Sequence, residues 1–191
     1  MASEERKQFF PYLKEKLGDV PFAIDAPRKD SKNIGVWANC MRAWSMHDKS
    51  KDFHLVIQDD AIICENLLER IEDLIKKTTG NYAYSLYFGD ELATTTEEKT
   101  KSQQEGFIIR NLLNSGVAIM LPTSKIERIM KIANRNNTNI DDANIGSALQ
   151  QLGMKTIYPV PCFINHRSCK ETSSLVTRGE SERTSKYFID K

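Results

Sequence analysis

Apolar residues along this chain fall into short blocks separated by longer stretches with helical periodicity. Residues 20–24 form a short apolar run between Gly18-Asp19 and Pro27, which suits a buried strand. Ile34, Trp37, Met41 and Trp44 then recur at helical spacing and predict a helix over 33–47, with Ser31 or Asn33 as its cap. The β-rich segment 53–57 stops abruptly at Gln58-Asp59-Asp60. Leu67, Leu68, Ile71, Leu74 and Ile75 share one face of a helix over 65–77 that Gly80 ends. Residues 82–88 read as a strand closed by Gly89-Asp90, and 91–105, almost without apolar residues, as a mobile loop. A strand over 115–121 leads into a helix opened by Pro122-Thr123-Ser124 and running towards Asn134. A polar turn at 136–139 precedes a helix over 141–152, with Gly153 as its stop, and a last short strand covers 155–158. The remainder, 159–191, is rich in Ser, Thr and charge and reads as irregular.

Strands alternating with helices at this spacing predict an α/β fold, a single compact domain with a central, mostly parallel sheet flanked by helices. Ligands of such sheets bind outside the carboxyl ends of the strands, which points at Asp25, at Asp59-Asp60 and at Gly89-Asp90. A length of 191 residues fits one domain with one sizeable core. Lys and Arg (27) nearly balance Asp and Glu (26), so the chain carries no field that attracts polyanions, and nucleic acid is not an expected partner. Cys40, Cys64, Cys162 and Cys169 are too sparse for a disulfide framework, residues 1–16 carry no signal-peptide apolar stretch, and no apolar run has the length of a membrane span. The expectation is a cytoplasmic protein.

Two adjacent carboxylates after a buried strand repel each other and call for compensation. A divalent cation with oxygen ligands, Mg²⁺ or Mn²⁺, is one solution. A turn in which Asp59 or Asp60 caps the following helix is the other, and the pair alone supports both equally.

The surroundings add to this. His54-Leu55-Val56-Ile57-Gln58-Asp59-Asp60-Ala61 resembles the DXD-type motif of GT-A fold glycosyltransferases, with Gln58 in place of the first carboxylate. Residues 33–37 with Arg42 and Trp44 resemble the helix after the family's nucleotide-binding strand, and 114–118 its strand near donor and acceptor. Asp141-Asp142 resembles the acidic motif that supplies the base in inverting members, and 161–175, with His166 and Ser173-Ser174, the closing segment that completes the metal or phosphate site. The matches span 20–175 in the expected order and are most similar to glycosyltransferase domains of large viral proteins that glycosylate the capsid protein.

The resemblance implies a nucleotide-binding part over 18–90, an acceptor and catalytic part over 106–175 and a polar tail over 176–191, with further domains in a full-length protein. It implies a UDP-sugar donor of glucose or rhamnose type, a glycan acceptor, and Mn²⁺ or Mg²⁺ held by Asp60 with His166 and Asp59. Asp142, or its neighbour Asp141, becomes the base, and Asp25, Arg28, Trp37, Arg42, Gln58, Asp59 and His166 line the donor. Other readings stay open for these residues. Asp in a first helical turn is favoured by the helix dipole, Trp37 and Trp44 suit a core, and Arg42, Arg167 and Lys170 suit a solvated surface. The spacing of Cys162, His166 and Cys169 makes a poor structural zinc site. A metal-dependent phosphohydrolase using Asp59 or Asp60, or a non-catalytic nucleotide- or carbohydrate-binding module, would fit the same carboxylate pair.

Overall fold

The computed structural model of the chain describes residues 2–25, 34–89, 95–136, 138, 140–167, 184–185 and 187–189. From the N-terminus, β1 (Ala2–Ser3) and a 3₁₀ segment (Glu4–Phe9) lead into α1 (Phe10–Leu17), β2 (Ile24–Asp25) and α2 (Ile34–Ser45). Next come β3 (Phe53–Ile57), β4 (Ala61–Ile63), α3 (Leu67–Lys77), β5 (Tyr82–Ser85), α4 (Thr96–Glu105) and β6 (Phe107–Arg110). The chain continues through β7 (Ala118–Pro122), α5 (Thr123–Ala133), α6 (Asp141–Gln151), β8 (Lys155–Pro159) and β9 (Ile164–His166).

Five strands form the central sheet in the order β3-β7-β5-β8-β6. Alternating side chains send its two faces into two cores. On β7, Ile119 and Leu121 join Val56, Ala83 and Trp44 beneath α2, α5 and α6. Ala118 and Met120 of the same strand face Leu67, Ile71 and Leu74 of α3, together with Tyr84 and Ile157. The three α3 leucine and isoleucine side chains repeat at helical spacing and are buried. Burying each contributes about 1.5–3 kcal/mol relative to exposure, so α3 is held by packing more than by its own propensity. His54, on β3, stays on the α2 side, where Nε2 meets the Ala43 carbonyl at 3.1 Å and the ring packs edge-on to Trp44.

The α/β class and the elements at 34–45, 53–57, 67–77, 82–85, 118–133, 141–151 and 155–159 follow the periodicity. Four expectations are corrected. The sheet is not mostly parallel: β5–β8 is parallel, while β3–β7, β5–β7 and β6–β8 are antiparallel. Apolar alternation reports burial and not direction; β6 begins at Phe107 opposite Pro159, at the end where β5 finishes, so the chain returns antiparallel. Residues 20–24 do not enter this sheet: among the described residues β2 pairs with β1 in a separate two-stranded sheet. The polar stretch expected as a loop over 91–105 contains α4, built on local terms. The Thr95 and Glu98 side chains form a capping box, and Gly106 ends the helix at a positive φ of 78°. Arg110 Nε and Nη2 grip the Glu98 carboxylate at 3.0 Å each and hold its pKa below the usual range, against burial. Finally, 159–191 is not wholly irregular, since β9 pairs antiparallel with β4. Among the described residues no helix is long and apolar enough to cross a membrane.

Candidate functional site

Strand β3 ends at Ile57 and hands over to Gln58, whose N–H donates to the Val117 carbonyl at 2.8 Å. That bond carries Gln58, Asp59 and Asp60 along the start of β7. Immediately afterwards Ala61 pairs with His166 in the β4–β9 ladder, and Arg167 N–H donates to the Asp60 carbonyl at 2.9 Å. The small two-stranded sheet is therefore what joins Asp60 to a histidine far along the chain.

Asp59 and Asp60 are 1% and 5% exposed. Two buried carboxylates side by side need positive charge, and here it comes from the N-terminus. Arg6 Nη1 lies 3.0 Å from Asp59 Oδ1 and also contacts Asp60 Oδ2. His166 Nε2 faces the same Asp60 oxygen at 3.3 Å. Burial acts to raise the Asp60 pKa, but the hydrogen bond and charge of His166 and the charge of Arg6 outweigh it and the value is lowered.

The histidine geometry is informative. Its Nδ1 lies 2.6 Å from the Arg167 carbonyl and must donate there. Nε2 is then either a second donor towards Asp60 or a lone pair facing the pair. A backbone carbonyl fixing one ring nitrogen is shared with metal-ligating imidazoles, and the same geometry serves the His166–Asp60 ion pair seen here. Asp60 Oδ1 adds a buried carboxylate oxygen with no hydrogen-bond partner among the described residues. Hard oxygens with one imidazole suit Mg²⁺ or Mn²⁺, and Arg6 demonstrates that one positive group can touch both carboxylates. Among the described residues no group of three or more His, Cys, Asp or Glu is arranged to hold a metal ion. Asp59 Oδ1 and Asp60 Oδ2 converge on the position that the Arg6 guanidinium occupies.

Gln58 supplies the second link. Its Nε2 donates to Asp141 Oδ2 at 3.3 Å, while Asp141 Oδ1 accepts from Asp142 N–H at 3.0 Å. Burial pushes the Asp141 carboxyl above its usual range, against the hydrogen bonds from Asp142 and Gln58. Gly116 makes the approach possible: a Cβ there would stand 2.9 Å from Asp141 Oδ2. Asp142 points elsewhere, with Oδ1 accepting from Ala143 N–H at 2.8 Å on the first turn of its own helix. The turn before α6 is tied by buried Asn144, whose Nδ2 donates to the Thr138 carbonyl at 2.9 Å.

The structure thus brings together Gln58, Asp59, Asp60, Asp141 and His166. It does not bring Trp37 or Arg42 to them. Trp37 Nε1 donates to Asn134 Oδ1 at 3.0 Å, and Arg42 Nη2 is spent on the Ile24 carbonyl at 2.9 Å and Asn39 Oδ1 at 3.0 Å. Asp25 lies in β2 opposite Ser3, so the N-terminal segment runs between it and the carboxylate pair. Arg28, Asp90, Cys169, Lys170 and Ser173-Ser174 lie outside the described residues. Cys40, Cys64 and Cys162 are buried thiols that form no disulfide among the described residues. Two open grooves, about 570 and 350 Å³, lie away from the site, lined by residues such as Tyr82 and Phe107 or His47 and Thr123.

Arg6 is the functional neighbour that sequence reasoning missed. Within Glu4-Glu5-Arg6-Lys7 it reads as one more solvated charge, and nothing in its own spacing pairs it with residues more than fifty positions away. Models of known protein families do not match the chain, and no curated protein matches it.

Proposed function

We propose that this chain is a GT-A-like glycosyltransferase domain that moves a sugar from a UDP-sugar of glucose or rhamnose type to a glycan hydroxyl. The observation that carries the reading is the meeting, at one edge of the sheet, of the Asp59-Asp60-His166 corner with the Asp141 carboxylate, joined through Gln58. Two acidic functions with different environments are what such a transfer requires. The pair with the lowered Asp60 pKa stays ionised and holds positive charge, while a carboxylate with a raised pKa is a stronger base.

In this reading Asp141, rather than Asp142, takes the proton from the acceptor hydroxyl as its oxygen attacks the anomeric carbon. The new C–O bond forms as the bond from that carbon to the diphosphate oxygen breaks, and the electron pair leaves with UDP. Attack opposite the leaving group inverts the anomeric configuration. Gln58 and the Asp142 N–H hold the Asp141 carboxylate in position, and Gly116 leaves it room. Asp60, Asp59 and His166 are the residues that would hold Mn²⁺ or Mg²⁺, which supplies positive charge against the departing diphosphate.

The test is UDP release from a panel of UDP-sugars with Mn²⁺, with and without glycan acceptors, capsid-type glycans included. Release that needs both donor and acceptor, and that falls at least about a hundredfold in Asp141→Asn but only a few fold in Asp142→Asn, supports the proposal. Phosphate release from simple esters without an acceptor would reassign the site to phosphoester hydrolysis. Donor binding with no turnover would make it a binding module.

A further inference from the structure

The N-terminal segment is attached in two unequal parts. Helix α1 is anchored: Leu13 is buried, Tyr12 Oη accepts from Ile63 N–H at 2.8 Å, and Phe10 stacks on Phe22 at 4.8 Å. The part that reaches the site has little regular structure. It consists of the two-residue strand β1 and a 3₁₀ segment broken at Arg6, whose φ and ψ of −113° and 20° are not helical. Besides the Arg6 ion pairs, Arg167 tethers it: the guanidinium lies 4.7 Å from the Phe9 ring and 4.8 Å from the Tyr12 ring. Arg167 is also the residue whose N–H and carbonyl fix Asp60 and His166.

From this arrangement we propose that Arg6 and a divalent cation are alternative occupants of the Asp59-Asp60 pair, and that residues 2–9 form a strap which closes this corner until metal displaces it. The inference rests on the reading of the pair as a metal corner and adds its regulation. Arg6 touches both carboxylates at once, and a divalent cation spanning the same two oxygens would stand where its guanidinium is. The orphaned Asp60 Oδ1 is what the guanidinium leaves unused and a metal would add. The strap also runs from Asp25 to Asp59-Asp60, so its release opens the ground between the two.

The consequence is quantitative. A strap closed nine-tenths of the time weakens apparent metal affinity about tenfold, and one closed 99% of the time about a hundredfold. The experiment is Mn²⁺ titration followed by electron paramagnetic resonance of the free ion, on the unaltered chain, Arg6→Gln, Phe9→Ala and Asp60→Asn. Hydrogen exchange of residues 3–9 in the unaltered chain, with and without Mn²⁺, accompanies it. The expected result is Mn²⁺ binding at least about tenfold tighter in Arg6→Gln, a smaller gain in Phe9→Ala, and loss in Asp60→Asn. Exchange across 3–9 should rise when Mn²⁺ saturates the unaltered chain, while 11–16 stays protected. Equal or weaker binding in Arg6→Gln overturns the proposal, as does unchanged exchange across 3–9 at saturation. Should Arg6→Gln fail to fold, Phe9→Ala and the exchange measurement decide alone. Failure of the glycosyl-transfer reading is seen separately: no UDP release from any donor leaves the metal competition standing, while Mn²⁺-dependent transfer with unchanged Arg6→Gln affinity removes only the strap.

Discussion

Arg6→Met removes one positive charge while keeping most of the apolar stem, and it leaves two carboxylates whose side chains are only 2% and 7% exposed. Removing one partner of a buried ion pair costs about 3–5 kcal/mol, because the remaining charge is stranded without water. Arg6 is itself 18% exposed and His166 stays beside Asp60, so the lower end, about 3 kcal/mol, is expected here. With a urea m-value of about 2 kcal/mol/M, the midpoint of unfolding in metal-free buffer should fall by about 1.5 M. Asp60→Asn in the same background relieves one of the stranded charges, so the double variant should be less destabilised than the sum of the singles by about 1–3 kcal/mol. Mn²⁺ at a hundred times its dissociation constant should return about 2.7 kcal/mol to Arg6→Met, provided the metal enters the vacated position. A midpoint shift of less than about 0.3 M in Arg6→Met, or strict additivity in the cycle, would refute the buried ion pair as the compensation for Asp59 and Asp60.

Three further outcomes can be checked. Gly116→Ala places a Cβ 2.9 Å from Asp141 Oδ2, so the carboxylate must turn away from Gln58. Turnover should drop about tenfold or more with thermal stability changed by less than about 1 kcal/mol, and turnover equal to the parent chain would show that the close approach is not used. Because burial raises the Asp141 pKa, the acid limb of the rate profile should lie above the ordinary carboxylate range, and Asp141→Glu should shift that limb whereas Asp142→Asn should leave it in place. For Glu98, held low by Arg110, the sign is the opposite of a raised group. Its stabilisation is present above its unfolded pKa near 4.5 and is lost as pH falls through the lower folded value. Thermal melts of the parent and Glu98→Gln should therefore differ above that window and converge below it, by about 1 kcal/mol or less for a partly exposed pair, and a difference that is constant with pH would contradict the Arg110 contact as its source.

The periodic segments are legible in the sequence because each is a local pattern: Leu67, Ile71 and Leu74 share a helix face whatever they pack against, and the run 53–57 reads as a strand that ends at Asp59 and Asp60, although in the sheet it is a half-buried edge strand. Helix α4 escaped because its signals, a Thr95–Glu98 capping box and the grip of Arg110, are polar and not periodic. His166 entered the sequence reading only through the family resemblance, and Arg6 escaped it altogether for a deeper reason. The two approach Asp60 from opposite ends of the chain, through a three-residue ladder and a broken 3₁₀ segment, and neither contact leaves a trace in local spacing. Adjacent Asp141 and Asp142 carry identical chemistry and only packing separates them, since Gly116 and Gln58 sit beside one and the helix's own first turn beside the other. What the sequence by itself determined is the α/β alternation and an acidic pair at a strand end, because strand and helix faces are written in nearest-neighbour spacing. Strand direction, the choice of Asp141, and the arginine that neutralises the pair were decided by tertiary structure, because charge compensation in a buried site depends on distance in space and not along the chain.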